Sequence, residues 1–539
     1  MQKVLSATEM REVDRQTTEK YGIPSILLME NAAHAAARVI TEKLGGSVAG
    51  KSFLILCGKG NNGGDGAALA RILWTLGANV SIALTAIVED TKGDAKTNFE
   101  AFIKLHSGLR FSEPQLYLYE VGAFRVFFDN YHNLVSHDAI IDALFGTGLT
   151  KPLKDSVAIL AKMIASLKEP NKKPLRISLD LPSGLNADSA EPIGENFQAD
   201  LTITFTAPKP ANVLPPASNF NGELVVANIG SPQELINNSP SKLFLAERED
   251  AQSWLEKTKF TADSYKNKRG HALLIVGSPG YVGAAVLAGN AAMVSGVGLT
   301  TIATSESARD AIAAKVLEEV ITRGLPETKN GAVSVKAFED VEKLMEKVDV
   351  VGIGCGLTSK EKTTKDFARK VVEKRKMPVV IDADGLNALS PFDLKGNDKL
   401  PLILTPHEGE FLRLLGTNDK EAIKDRVKAV RDFAETHQVI LVLKGERVLI
   451  GAPDGRVVIN PTGNSGLGKA GNGDTLTGII TGFVAQAVQL KVDIFETVVA
   501  AVYISSLAGD IAAKKFGRRS MLASDVRKCL GEAFASLKG

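Results

Sequence analysis

The stretch Cys57-Gly58-Lys59-Gly60-Asn61-Asn62-Gly63-Gly64-Asp65-Gly66 packs two amides and a carboxylate into one glycine-rich loop. It lies between an apolar run, "SFLIL", and a helix-like run, "AALARILWTLG". A glycine-rich turn running from a strand into a helix offers free N–H groups to phosphate. Gly58, Gly60 and Gly63 also read as G-x-G-x-x-G. A dinucleotide fingerprint asks in addition for an acid about 20 residues on, at the end of the second strand. Here that strand, "VSIALT", ends without one. Asn61, Asn62 and Asp65 instead supply oxygen ligands and orienting hydrogen bonds, which suit a hard cation or a polar ligand edge. The bland alternative is a tight turn that needs glycine only for its backbone.

Two further strand ends carry acids. "AIIDALFGTGL" places Asp142 before a second glycine loop, Gly146-Thr147-Gly148, and "RISLDLPSGLNAD" places Asp180 and Ser183 similarly. A buried strand-end Asp without a task is costly unless paired, so two facing one sheet edge point to a site. Helix capping and turn formation are the competing readings.

"GNSGLGKA" matches a Walker A motif through Gly463, Gly468 and Lys469, but Ala470 stands where Ser or Thr must ligate magnesium. That missing oxygen argues against a P-loop. The next residues, Ala470-Gly471-Asn472-Gly473-Asp474, open an apolar helix whose free N–H groups form an anion hole. Asp474 beside it could accept the proton of an attacking hydroxyl during phosphoryl transfer. As a mere helix cap it would contribute about 1 kcal/mol. His407, in "TPHEGEF", reads from its surroundings as a hydrogen bonder at a helix start. Asp382 and Asp384 also end a strand, with no task apparent from the sequence.

The elements that must position these groups alternate. Short β-branched or apolar runs ending in Gly, Asp or Pro are followed by longer amphipathic segments, which predicts βαβ units and parallel sheets covered by helices. A second series begins at "HALLIVGSPG" and continues through "DVVGIGCG", "PVVIDADG", "LILTPHEGE" and "VILVLKG". Between the two series lies an aperiodic stretch rich in Pro, Asn and Ser, which puts a domain boundary near residues 236–246. A chain of 539 residues is too long for one core.

Lys+Arg 64 against Asp+Glu 62 gives no electrostatic reason to expect nucleic acid or an anionic membrane as partner. Three cysteines, far apart, support neither a disulfide framework nor a structural zinc site, and point to a reducing cytoplasm. The N-terminal residues are polar where a signal peptide needs an apolar core, and Ser6 with Glu9 makes an S-x-x-E capping box. No apolar run reaches the roughly 18 residues needed to span a bilayer, so a soluble protein is expected.

"GKGNNGGDG", "DALFGTGL" and "SLDLPSGLNAD", in this order and spacing, resemble the NAD(P)H-hydrate epimerases over residues 1–240. The G-x-G-D element around Asp474 resembles the ribokinase-like small-molecule kinases. With "RGHALLIVGSPGYVGAAVLAG", "GIGCGLT", "VIDADGLNAL", "LTPHEGEF" and "LVLKG", residues 246–539 resemble the ADP- or ATP-dependent NAD(P)H-hydrate dehydratases. The resemblance implies an α/β protein with an N-terminal Rossmann-like α/β/α domain and a C-terminal ribokinase-like domain. It further implies repair of hydrated NADH and NADPH: exchange of R and S epimers, then nucleotide-dependent dehydration of the S epimer.

By the same resemblance, Asn61, Asn62, Gly63, Gly64 and Asp65 contact the hydrated dinucleotide, with Gly146, Thr147, Gly148, Leu149, Thr150, Lys151 and Pro152. Asn62, Asp142 and Ser183 hold a potassium ion, and Asp180 lies at the reacting ring. In the second half, Gly356 and His407 contact the dinucleotide and Asp474 the reacting hydroxyl. Lys444, Gly445, Glu446, Arg447, Val448 and Gly473 hold ADP or ATP, which arrives with Mg2+. Glu446 and Arg447 leave the choice between ADP and ATP open. Small molecules are the expected partners, within a homo-oligomer. The alternative is a vitamin or small-molecule kinase fused to a non-catalytic Rossmann-like binding module. The module half of that alternative is disfavoured by the presence of Asn61, Asn62, Asp65, Asp142 and Asp180 together.

Overall fold

The apolar runs of the first half form a seven-stranded sheet in which every pairing is parallel. The computed structural model describes residues 1–107, 115–120, 134–167 and 174–538. This sheet belongs to a unit of Lys3–Ser241; the second unit is Lys242–Gly539 with Met1–Gln2.

Strand periodicity builds the first unit's layers. Along Ser52–Cys57, Phe53, Ile55 and Cys57 face one way, into a core with Leu69 and Leu73 of the Asn61–Thr75 helix and Ile40 of Ser25–Lys43. Leu54 and Leu56 face the other way, onto Leu160 and Ile164 of Asp155–Ser166. Helices thus cover both faces, and the strands read as nearly continuous apolar runs. The chain steps from Ser52–Cys57 outward to Asn79–Leu84 and Leu116–Tyr119. It then returns to the other side of Ser52–Cys57 at Ala139–Ala143 and continues through Leu175–Leu179 and Leu201–Phe205 to Glu223–Ala227. This reversal leaves a crevice outside the carboxyl ends of Ser52–Cys57 and Ala139–Ala143, where doubly wound sheets bind ligands. Ser6 caps the Ala7–Glu19 helix through the capping box, with Glu9 N–H donating to Ser6 Oγ at 3.2 Å and Ser6 N–H to Glu9 Oε2 at 2.8 Å. That helix also reaches the crevice, as described below.

In the second unit the strands Ile440–Leu443, Leu402–Leu404, Val379–Ile381, Val350–Ile353, His271–Ile275, Leu299–Ser305 and Val320–Leu325 lie side by side in that order, all parallel. Beyond Ile440–Leu443, the antiparallel strands Leu449–Gly451 and Val457–Ile459 extend the sheet. The helix Asn472–Leu490 packs on it, and Trp254 stacks on Phe483 of that helix with ring centroids 4.0 Å apart.

One sequence expectation requires correction. The helix Ile494–Phe516 is long and apolar enough to cross a membrane by length and composition, because its charges gather near the two ends. However, 72% of its most apolar window is buried inside the protein. Val498, Ala501, Ile504 and Ala508 join the same core as Phe483, and Trp254 Nε1–H donates to Thr497 Oγ1 at 3.0 Å. A helix apolar on all sides is either a membrane span or a core helix, and this one is packed as core.

Candidate active sites

At the crevice of the first sheet lies a cavity of about 710 Å³. Asp180 stands at the end of Leu175–Leu179 with φ +65°, a left-handed conformation that turns its side chain out of the strand's alternation. The ammonium of Lys209, 1% exposed, donates to Asp180 Oδ1 at 2.6 Å, to Thr204 Oγ1 at 2.9 Å and to the Phe205 carbonyl at 3.1 Å. Thr204 Oγ1 donates to the same carboxylate oxygen at 3.2 Å, and the Thr147 N–H donates to Oδ2 at 3.2 Å. Gly146 is required for this approach, since a Cβ there would lie 2.8 Å from Asp180 Oδ2. Asp65 and Asp14 line the same cavity. Burial, and after it the charges of Asp180 and Asp14, push Asp65 well above the usual carboxylate range.

Asp142 is wholly buried one strand away. It accepts from Ser183 Oγ at 2.6 Å, Ser183 N–H at 2.7 Å, Ser178 Oγ at 3.1 Å and Leu144 N–H at 3.2 Å. All these donors are neutral, and burial still pushes Asp142 up to about 6. Among the described residues no ammonium or guanidinium pairs with it. Both amide atoms of Asn62 are buried without a hydrogen-bond partner there. Phe145 N–H donates to Ser183 Oγ at 3.0 Å, and Asn62 packs against the Gly146 position, so both groups meet one loop. A desolvated carboxylate and an unsatisfied amide suit a bound cation, which would supply the charge and ligand demand that the protein leaves open.

In the second unit, consecutive strand ends carry Gly356, Asp382, His407 and Lys444, after Ile353, Ile381, Leu404 and Leu443. Lys444 Nζ donates to Asp382 Oδ1 at 2.8 Å and lies 3.9 Å from Glu410 Oε2. Thr477 Oγ1, on the Asn472–Leu490 helix, donates to Asp382 Oδ2 at 2.9 Å. Burial alone would raise Asp382, but Lys444 and hydrogen bonds from Thr405 and Thr477 hold its carboxyl below the usual range. Asp474 lies in the first turn of that helix, whose N-cap Gly471 has φ +90°. Burial, with the Asp382 charge adding to it, holds Asp474 above the usual range against Cys355 and Lys444. Ligand atoms of Cys355, Asp382 and Asp474 all lie within 4.8 Å of one another. Lys444 already gives Asp382 its positive partner, and burial keeps the Cys355 thiol well above its ordinary range, so this set is not built to hold a metal ion by itself. Asn472 Oδ1 and Thr475 Oγ1, at the same helix start, have no hydrogen-bond partner among the described residues.

Two family models match this chain: one described as NAD(P)H-hydrate dehydratase over residues 272–531, the other as YjeF-related protein N-terminus over residues 25–211. A bifunctional NAD(P)H-hydrate repair enzyme of Moorella thermoacetica is 38% identical over 97% of this chain and 95% of its own length. The chain belongs to the bifunctional NAD(P)H-hydrate repair enzyme family. The member from Escherichia coli K12 is 30% identical over 96% of this chain and 92% of its own length. A Bacillus subtilis ADP/ATP-dependent NAD(P)H-hydrate dehydratase, crystallised with ATP/Mg2+, is 30% identical with a TM-score of 0.47, covering 55% of this chain and 99% of its own.

Of the residues expected at the repair enzyme's first site, Asn61, Asn62, Asp65, Gly146, Thr147, Gly148, Leu149 and Asp180 line the cavity. Gly63 and Gly64 do not: both are buried behind it, and a Cβ on Gly63 would lie 1.7 Å from the Gly58 carbonyl oxygen. Gly63 lets the helix start close against its own loop, and Gly64 lets it pack against Ala95 and Met29. Thr150, Lys151 and Pro152 are exposed and lie outside the lining. Asp142 and Ser183 are also absent from the lining and stand beneath it. Lys209, Asp14 and Thr206 line the cavity without having been expected there. Lys209 had a signal, since it follows the apolar strand Leu201–Phe205 in "TAPKP" as the acids follow theirs. Asp14 had none, being one acid among many on a polar helix.

At the second site His407 caps the Glu408–Leu414 helix, its Nδ1 accepting from the N–H groups of Gly409 at 3.0 Å and Glu410 at 3.3 Å. Gly445, Glu446, Arg447 and Val448 form the turn from Ile440–Leu443 into Leu449–Gly451, and Arg447 spends a guanidinium N–H on the Pro461 carbonyl. Gly473 faces the Lys444 ammonium, 3.4 Å from where its Cβ would stand. Asp384 separates from Asp382 in role: it accepts from Thr358 N–H at 3.0 Å and Ser359 Oγ at 3.2 Å, tying down the loop that follows Gly356. Lys469, the lysine of the Walker-like stretch, donates to the Met521 carbonyl at 3.0 Å.

Removing one partner of a buried pair leaves the other charge unsatisfied. Asp382→Ala should therefore lower the second unit's stability by roughly 3 kcal/mol. Urea unfolding followed by Trp254 fluorescence in a Trp74→Phe background tests this, and an unchanged midpoint would mean that Lys444 finds an equal partner elsewhere.

Proposed function

We propose that this chain repairs hydrated NADH and NADPH. The first unit interconverts the R and S epimers, and the second dehydrates the S epimer at the expense of ADP or ATP. The observation that carries this reading is a carboxylate–ammonium pair at the carboxyl ends of the parallel strands in each unit, Asp180 with Lys209 and Asp382 with Lys444, with Asp474 at a helix start beside the second pair.

The hydrated ring carries a hydroxyl on carbon 6, next to the ring nitrogen. In the second unit Asp474 takes the proton of that hydroxyl as its oxygen bonds to the terminal phosphorus of the nucleotide, which leaves as AMP or ADP. A carboxylate held above its usual range is a stronger proton acceptor than a free one. The backbone N–H groups of Gly473 and Asp474 at the helix start hold the phosphate oxygens. Lys444 to Val448 and Gly473 hold the nucleotide, with Gly356 and His407 on the dinucleotide. Mg2+ bound to the nucleotide phosphates would offset their charge. Phosphate then leaves carbon 6 and a proton leaves carbon 5, restoring the ring double bond.

In the first unit the ring nitrogen expels the hydroxyl as water, and water returns to the opposite face with Asp180 as proton acceptor. Asn61, Asn62, Asp65 and the loop from Gly146 orient the dinucleotide. Asn62, Asp142 and Ser183 would hold a potassium ion, which supplies a fixed positive charge beside the buried Asp142.

Asp474→Asn keeps the size of the side chain and the helix start but removes a proton acceptor. It should reduce nucleotide-dependent recovery of absorbance at 340 nm by about 100-fold or more while epimerisation continues. Dehydration near the wild-type rate would leave Asp474 as a helix cap.

Asp180→Asn should give the opposite pattern. Supplied with both epimers and ADP, this variant should consume the S form and stall with R remaining, apart from its slow spontaneous exchange. A mixture that runs to completion at the normal rate would remove Asp180 from the chemistry.

Epimerisation should fall when potassium is replaced by lithium, a smaller ion that holds its water more tightly. Asp142→Asn, which keeps much of the hydrogen bonding but not the charge, should lose both the rate and the response to potassium. Equal rates with and without potassium, with bound ion excluded by elemental analysis, would return Asp142 to a structural role.

A further inference from the structure

Epimerisation at carbon 6, on the reading just given, needs two proton transfers. As the carbon–oxygen bond breaks, the nitrogen lone pair forms the N=C6 bond and the departing hydroxyl takes up a proton to leave as water. A second water then bonds to carbon 6 on the opposite face, the electron pair returns to nitrogen, and that oxygen loses a proton. One proton enters and one leaves, and nothing is oxidised or reduced. A single carboxylate cannot serve both faces of the ring, so a second group is needed.

Asp180 is arranged as an acceptor. Its Oδ1 already receives Lys209 Nζ at 2.6 Å and Thr204 Oγ1 at 3.2 Å, and its Oδ2 receives Thr147 N–H at 3.2 Å. Asp14 is the contrasting case in the same cavity. It is carried by the Ala7–Glu19 helix, which is anchored by its buried Ala7, Met10, Val13 and Thr17. Asp14 Oδ1 is buried and has no hydrogen-bond partner among the described residues. Burial pushes Asp14 up to about 6, with Lys209 opposing the rise and Asp180 adding to it. Asp65 also lines the cavity, but unlike Asp14 it has no buried oxygen left without a hydrogen-bond partner among the described residues. Two carboxylates in one cavity, one hydrogen-bonded to a lysine ammonium and the other with an unpartnered oxygen, can divide the acid and base roles.

We propose that Asp14 is the second proton-transfer residue of the epimerase cavity, delivering a proton to the departing hydroxyl while Asp180 receives one from the incoming water. In the reverse direction the two exchange roles.

The test uses the full chain, one purified NADHX epimer and no nucleotide, with the R/S ratio followed by chromatography. Asp14→Asn should slow the approach to equilibrium by about 100-fold. Asp14→Glu, which restores a carboxyl group on a longer arm, should recover a measurable part of the loss. Loss of the C6 oxygen label from an 18O-hydroxyl epimer should slow in step with epimerisation. With ADP added, dehydration of the S epimer by the second unit should be unchanged in both variants. Epimerisation by Asp14→Asn near the wild-type rate would overturn the proposal, as would an Asp14→Glu variant no better than Asn. A wild-type chain that leaves the ratio at its spontaneous rate would instead defeat the epimerase reading itself.

Discussion

A carboxylate at the end of a buried strand has lost its water, and the chemistry of both sheet edges follows from how each such group is compensated. Asp180 and Asp382 receive a lysine ammonium. Asp142 receives only neutral donors and is left with its pKa raised by burial. These different solutions give the acids different properties. The lysine-paired groups are fixed in place and stay useful as anchors or acceptors. The acid without a cationic partner instead creates a demand for positive charge. Asp474 follows from the Asp382 solution, because Lys444 is committed to Asp382 and only partly offsets the burial of its neighbour.

Backbone conformation is the second device. Asp180, Thr206 and Ala383 hold left-handed φ values of +65°, +66° and +48° at strand ends. For residues with a Cβ this conformation costs of order 1 kcal/mol each. Such strain persists where the surroundings over-determine it, and here the surroundings are the Lys209 network and the loop tied by Asp384. Ordinary extended backbone would continue the strand's alternation and turn these side chains back toward a sheet face.

Much of this was legible in the sequence. Alternating apolar runs specify parallel strands because both sheet faces are covered, and strand-end acids mark an edge because a buried carboxylate without a task is costly. Asp142 and Asp180 were legible for that reason. What escaped was whatever depended on a partner distant in the chain. Lys209 meets Asp180 across 29 residues and Lys444 meets Asp382 across 62, and no local pattern encodes either meeting. The glycines of the two loops at this edge show the converse limit. All looked alike in sequence, yet Gly146 makes room for Asp180 while Gly63 only clears the Gly58 carbonyl. The Ile494–Phe516 helix shows a third limit, since composition alone cannot separate a core helix from a membrane span.

The cap formed by His407 has a consequence for molecular recognition. Nδ1 accepts from two backbone N–H groups, so a neutral ring must carry its hydrogen on Nε2. Nε2 in turn lies 3.5 Å from Glu410 Oε1, the carboxylate whose Oε2 accepts the His407 backbone N–H at 2.9 Å. The tautomer is thus set from both ends of the ring by the helix it starts, with backbone donors at Nδ1 and a carboxylate at Nε2. An oxygen arriving at this edge would have to share that N–H with Glu410 instead of finding it unclaimed.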